Sequence, residues 1–458
     1  MKTILPMALA ALLAAGCSDT ATEQPERDTL AENHYTQESG KKAFSHAIGG
    51  MDGTQTDLFV LGKSFFRIPW VEAPSATTAR DGLGPLFSAN TCKNCHPANG
   101  AGTAVNERGE INRSLVMRLS LKHAENINNG LEMQNEGFLP EPHYGGQLSV
   151  NGIFSVPFEG KPEVTYKTVE GRYGDGETFS LRAPAYRIDS LNYGPLHPQA
   201  NIAPHIALAL IGLGAIERID ADDILKHEDI NDSDNDGISG KANWVYSPET
   251  KKMELGRFTW KASAPSVRYQ TANAMSNDMG LTTPLFPKEN CTESQKECNE
   301  AASGRDPFDV PQGRLDAVAF YISSLRIPKQ REMENKEEAG ELFRRIGCTG
   351  CHVESYTTAD GLHISPYSDF LLHDMGEALS DGHRNFRAGP NEFRTPPLWG
   401  AGLYKTVGGE ANYLHDGRAR SIEEAILWHG GEAAPSREAF KHLTKEERAL
   451  LLAYIGVL

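Results

Sequence analysis

Two five-residue segments carry the chemistry of this chain: Cys92-Lys93-Asn94-Cys95-His96 and Cys348-Thr349-Gly350-Cys351-His352. Cysteines three positions apart lie along one helical turn, so both thiols can add to the two vinyl groups on one haem edge. The histidine that follows can then offer a ring nitrogen to the iron as proximal ligand. A single Cys-x-x-Cys also reads as half a zinc site or a redox dithiol. The adjoining histidine, present in both copies, points instead to two covalently bound haem c groups. Cys92, Cys95, Cys348 and Cys351 would attach them, with His96 and His352 on the irons.

Asp232-Ser233-Asp234-Asn235-Asp236-Gly237 alternates carboxylates ahead of a glycine, the pattern of a calcium loop. An EF-hand would place a bidentate Glu at the twelfth position, where this chain has Asn243. The expectation is a structural Ca²⁺ on Asp232, Asp234 and Asp236, completed by Asn243 or a distant residue. An ion-free surface turn is the alternative. Of seven cysteines, Cys291 and Cys298 remain once the haem thiols and Cys17 are set aside. They bracket a short polar loop, which reads as a local disulfide in an oxidising compartment, or else as a redox dithiol. Formal charge is −16, from 45 Lys and Arg against 61 Asp and Glu. That field argues against nucleic acid and suits a small-molecule oxidant or a basic electron-carrier protein.

These residues need a scaffold, and 458 residues allow two or three domains. Leu86-Phe87 and Leu342-Phe343 stand at the same distance before their motifs, and each pair predicts the apolar edge of a short helix on the haem. Each frame closes with helical apolar spacing, at Leu315–Leu325 and Leu443–Tyr454. Helix, haem motif, loop, helix is the order of a small cytochrome c domain. The expected fold is therefore mainly α, with two cytochrome c-like haem domains at 41–330 and 331–458. The first carries a long loop-rich α+β insertion at about 106–313. Within it, Ser114–Leu121 alternates as a strand, and the run from Ile206 to Glu217 predicts a buried helix because it is apolar nearly all round.

Residues 1–16 join an early lysine to a short apolar run ending in small residues before Cys17. The run is too brief to span a bilayer and resembles a bacterial lipobox. That makes 1–16 a lipoprotein signal peptide and Cys17 the lipidated first residue. Residues 17–40 are polar and read as a flexible tether. Ser18 after Cys17 resembles the sorting signal for the outer membrane. The expected location is the bacterial cell envelope, as a periplasm-facing lipoprotein whose only membrane contact is its lipid.

Longer motifs carry a more specific resemblance. Arg394-Thr395-Pro396-Pro397-Leu398-Trp399-Gly400, Leu414-His415-Asp416-Gly417-Arg418 and Ala425-Ile426-Leu427-Trp428-His429-Gly430 follow the second haem motif. Tyr144-Gly145-Gly146-Gln147-Leu148 and Gly256-Arg257-Phe258-Thr259-Trp260 precede it. With these the chain resembles the di-haem c-type oxidoreductases, a family labelled peroxidase or thiol oxidoreductase and distantly similar to bacterial di-haem cytochrome c peroxidases. The resemblance implies an exported, peroxidase-like enzyme in which haem 2 relays electrons to a reactive haem 1.

In those peroxidases a His-Asp-Gly segment precedes the distal ligand of the second haem, usually a methionine. That position falls on His429, and imidazole in place of thioether lowers the potential. A buried histidine beside Trp428 is the alternative. A Gln and a Glu flank the open face of their first haem, where the Glu moves protons during O–O cleavage. Gln147 and Glu159 match them in order, although the separation differs. Haem 1 has no evident sixth ligand; Met117, His123 and His143 are candidates, with Met117 better suited to the core. Trp260 is a candidate relay between the haems. The other functional reading is an outer-membrane-anchored electron-transfer cytochrome without small-molecule catalysis, serving iron acquisition.

Overall fold

The computed structural model describes residues 24–122, 136–304 and 307–458; the segment 1–16, Cys17 and His123 lie outside the described residues. The expectation of a mainly α, cytochrome c-like fold is overturned: helix makes up 30% and strand 19%. Among the described residues the strands pair into seven two-stranded sheets. Short helices hold the haem motifs, but long loops and β-ribbons make the walls around them.

Around the first motif, the Gly53–Arg67 helix starts at a capping box. The Asp52 carboxylate accepts from the Gln55 N–H at 2.8 Å, and the Gln55 side chain accepts from the Asp52 N–H at 3.0 Å. Its apolar stripe of Phe59, Phe65 and Phe66 packs on the Gln312–Ser323 helix. Gly62 is required at the crossing, because a Cβ there would lie 1.9 Å from the Ala317 carbonyl oxygen. The close approach puts the Phe66 ring 5.2 Å from Tyr321 and 6.5 Å from His96. Leu86-Phe87, expected on a helix, forms instead a strand against Asn151–Gly152.

The second motif does follow a helix, Lys336–Arg345. Its acidic first turn (Glu337, Glu338) and basic last turn (Arg344, Arg345) both suit the helix dipole. Leu342 and Phe343 are buried on it, and the Phe343 ring lies 6.3 Å from His352. The Lys445–Val457 helix, opened by a Thr444–Glu447 capping box, packs behind.

The buried helix expected from Ile206 to Glu217 is not formed. Ala200–Ile206 is a strand paired with Leu115–Leu121, residues 207–210 have no regular structure, and only Leu213–Glu217 turns helical after Gly212. The irregular part spends its backbone groups on distant partners: Ala207 N–H donates to Ser114, Leu210 N–H to Asn99, and the Leu208 carbonyl accepts from His96. A short segment that is apolar throughout does not by itself distinguish a buried helix from other structure.

From the insertion, strands Lys161–Arg172 and Thr178–Asp189 form a twelve-rung antiparallel ribbon. Its tip reaches the C-terminal region. Arg448 lies 3.9 Å over the Tyr173 ring and pairs with Asp175 and Glu177 at 2.9 and 2.8 Å. Arg182 donates to the carbonyls of Gly417 and Arg418. In return, Phe370, Trp399 and Leu403 join the apolar core around the first motif. Gln24–His34 is helical and Tyr35–Thr36 pairs in parallel with Ile327–Pro328, so folded structure begins inside the segment expected as a tether. Among the described residues no helix is long and apolar enough to cross a membrane.

Candidate functional site

Each Cys-x-x-Cys-His motif borders its own cavity, of about 260 Å³ beside Cys92, Cys95 and His96 and about 200 Å³ beside Cys348, Cys351 and His352. At the first, the Thr91 hydroxyl accepts from the Asn94 N–H and sets the single helical turn Cys92–Cys95. At the second, Gly347 at φ +86° turns the chain into the short 3₁₀ segment Cys348–Gly350. Burial pushes the thiols of Cys92 and Cys348 up to about 12, so both are neutral thiols against the cavities.

The histidines have the tautomer that iron ligation needs. His96 Nδ1 donates to the Leu208 carbonyl and His352 Nδ1 to the Tyr367 carbonyl, each at 2.8 Å. His429 Nδ1 donates to the Ala425 carbonyl at 2.6 Å. A carbonyl only accepts, so the proton stays on Nδ1 and the lone pair on Nε2. Burial lowers all three rings, His96 and His352 to about 4, which keeps them neutral. His429 follows the Ile422–Trp428 helix, capped by Ser421, and lines the second cavity with His352. The two rings are close enough that protonation of His429 would disfavour protonation of His352. Thiols, neutral Nε2 donors and a largely apolar cavity are a donor set that fits haem at both motifs. Met375 also lines the second cavity.

The wall between the cavities is shared. Ile206, Ala207, Leu208, Trp260, Arg394 and Tyr404 line both. Trp260 Nε1 donates to the Ile206 carbonyl at 2.8 Å. Arg394 donates to the carbonyls of Thr259 and Thr395, and burial lowers it to about 10. Arg418 instead pairs with buried Asp416 at 2.9 Å, and Arg420 with Glu424 on the surface. His415 lines the second cavity, stacked on Phe393 at 4.2 Å.

Gln147 lines the first cavity with its amide fully engaged. Arg118 donates to its oxygen at 3.0 Å, and its nitrogen donates to the Asn277 carbonyl and to the Asp278 carboxylate at 2.7 Å. Glu159 is not among the residues lining that cavity. It is buried near the disulfide loop, accepting from the Ser149 N–H and the Gln295 amide. Of the sixth-ligand candidates, Met117 is core, and His143 is partly exposed and paired with Glu141. Neither lines the cavity.

Sequence reasoning missed His205 and His383, which do line it. They sit more than 100 residues downstream of the first motif with no spacing signal of their own. His205 Nε2 meets Asp381 at 2.8 Å, and buried Lys261 meets the other Asp381 oxygen at 3.0 Å.

Cys291 and Cys298 are joined in a disulfide with Cα atoms 5.8 Å apart. The candidate ligand atoms of Asp232, Asp234 and Asp236 all lie within 4.8 Å of one another. Asn243 cannot complete that group: it is buried, donating to the carbonyls of Lys261 and Asn385 and accepting from the Arg387 N–H.

Comparison with known proteins gives the same class. Residues 31–458 match the family described as "Di-haem oxidoreductase, putative peroxidase". The chain belongs to this di-haem oxidoreductase family, and haem is its cofactor. No curated protein matches the sequence. Among solved structures it is similar to a hydrazine synthase of Kuenenia stuttgartiensis, pressurised with xenon, at 13% identity and a TM-score of 0.34. That likeness covers 99% of this chain and 100% of the other, and is too loose to bear on fold or function.

Proposed function

We propose that this chain is an exported c-type di-haem enzyme that reduces a small oxidant, hydrogen peroxide foremost. Haem 2, between His352 and His429, stores and passes one electron, and haem 1 on His96 meets the oxidant. The observation that carries this reading is the unequal lining of the cavities. Arg118, Gln147, Asp278, His205 and His383 line the first and make its surface the more polar, whereas the space beside His352 and His429 is mostly apolar, although His373, His415, Glu432 and Arg437 also line it. When bound, the haems supply the two electrons that peroxide needs, one from each iron. The chain's own residues fix the ligating tautomers, surround haem 2 with mostly apolar groups and present polar groups at haem 1. Trp260 and Arg394, in the shared wall, serve as electron relay and as counter-charge to propionates.

Mixing fully reduced protein with hydrogen peroxide in stopped flow tests the proposal. Reoxidation of both haems faster than in a simple bis-histidine cytochrome is expected, and reoxidation no faster would reject it. Mass spectrometry of the mature protein tests attachment, since two thioether-linked haems and a lipid on Cys17 each add a fixed mass. Ca²⁺ on Asp232, Asp234 and Asp236 belongs to the same reading; chelation should lower the melting temperature and added Ca²⁺ restore it.

A further inference from the structure

We infer that His383 is the proton-transfer group at haem 1, working through Nε2, with Arg118 beside it to stabilise developing negative charge. This rests on the peroxidase reading and replaces Glu159, which stands outside the cavity. His383 is 2% exposed and lines the cavity. Its Nδ1 meets the Ser120 hydroxyl at 2.9 Å, and among the described residues Nε2 has no hydrogen-bond partner. The Phe138 ring packs edge-on against it at 4.8 Å, and Arg118 lies 5.7 Å over the same ring.

The nature of the Nδ1 partner separates His383 from the ligand histidines. His96, His352 and His429 are anchored to carbonyls, which only accept and so fix one tautomer. A serine hydroxyl both donates and accepts, so His383 can hold its proton on either nitrogen without losing its anchor. That freedom suits a group that takes a proton and returns it, and serves no purpose in a fixed iron ligand. Burial and the charge of Arg118 favour the neutral ring, the form that can accept a proton, while nearby Asp381 acts in the opposite sense. His205 is less suited, because its Nε2 is already committed to Asp381.

The chemistry balances as H₂O₂ + 2e⁻ + 2H⁺ → 2H₂O. Nε2 takes the proton from one peroxide oxygen and hands it to the other as the O–O bond breaks, so the second oxygen leaves as water. With haem bound, one electron from each haem and two solvent protons would complete the second water.

Cyanide provides a readout independent of turnover, because it arrives as HCN and must give up its proton to bind ferric haem. Holoprotein carrying His383→Gln should bind cyanide at haem 1 and be reoxidised by peroxide about 10²–10⁴-fold more slowly, the usual range for a lost general acid–base group. The ferric spin state of haem 1, read by electron paramagnetic resonance, should not change. Ser120→Ala, which keeps the ring and loosens its anchor, should slow both steps roughly tenfold, as expected for partial loss of positioning. Unchanged rates in both variants would overturn the inference. So would a low-spin haem 1 in the parent that turns high-spin in His383→Gln, since His383 would then be an iron ligand. Should the parent protein ignore peroxide, the peroxidase reading fails by itself, and cyanide binding still decides the role of His383.

Discussion

Ile346, Leu379, Ile422 and Ile426 give the second cavity a mostly apolar wall, which His352, His429, His373 and His415 also line. The first cavity is bounded by Arg118, Asp278, Lys261 and two spare histidines, each tied to another protein group. The two motifs share their cysteines and histidine, so the motif decides only that haem is held. What the iron can do is decided by segments remote in sequence: Ile422–Trp428 for one, and Leu115–Leu121 with the 381–383 loop for the other. A more apolar site favours electron storage, whereas a site with more anchored polar donors favours chemistry on a bound molecule.

The sharpest way to break this contrast is to open the second site. His429→Ala should convert ferric haem 2 from low-spin to high-spin, giving two high-spin signals in place of one. An unaltered spectrum would leave Met375, also in that cavity, as the sixth ligand.

Next in size is Lys261→Met. The Lys261–Asp381 pair is almost fully buried, and Asp381 also holds His205. Burial alone would raise Asp381, but Lys261 and His205 hold its carboxyl well below the usual range. Removing the lysine strands a buried carboxylate, which typically costs about 3–5 kcal/mol. Denaturant unfolding should report that loss. The haem 1 spectrum should shift while that of haem 2 holds; a shift in haem 2 alone would put the pair on the wrong side of the wall.

Trp260→Phe should be milder. Both cavities keep their ligands, but the indole that lines both is replaced by a smaller ring without an N–H. Electron exchange between the haems should slow by roughly tenfold, equivalent to about 1.4 kcal/mol on the barrier. Flash photolysis of the half-reduced protein measures it, and an unchanged rate would remove Trp260 from the path.

How much of this was legible in the chain depends on the range of the interaction. The Cys-x-x-Cys-His motifs are local in sequence, and His429 drew notice only through the family resemblance, as a histidine downstream of His-Asp-Gly. The strand at Leu115–Leu121 and the closing helices showed their periods because each has one buried face. Ile206–Ile211 did not: it is apolar throughout and so carries no period, and in place of the expected helix stands an irregular segment whose Ala207 and Leu208 line both cavities. The α+β character expected of the insertion is compatible with the structure; the mainly α expectation failed because small sheets also lie outside it, as at Tyr35–Thr36 with Ile327–Pro328, Tyr356–Thr357 with His363–Ile364 and Leu372–Asp374 with Glu392–Arg394. His205, His383, Lys261 and Asp278 reach the first cavity through tertiary contacts alone, and nothing in their neighbourhoods announces it.

Glu159 offers the smallest expected effect on either haem and the cleanest control. Burial pushes its carboxyl up to about 8, against the opposing pull of the Ser149 N–H and the Gln295 amide. The folded chain therefore keeps this proton until about pH 8, whereas an unfolded glutamate releases it near ~4.3. Between those values the native state binds the extra proton, so stability falls as pH rises, by at most about 1.4 kcal/mol per pH unit from this one group. Above that window its contribution is level. Glu159→Gln should flatten the fall between pH 5 and 8, read as melting temperature against pH. It should also cost about 1–3 kcal/mol, because the amide oxygen can accept from only one of the two donors and its NH₂ then faces the other. Both haem spectra and the rate of reoxidation by peroxide should match the parent. A variant that lost peroxide reactivity with its pH slope intact would return Glu159 to the reacting face of haem 1 and remove the case for His383.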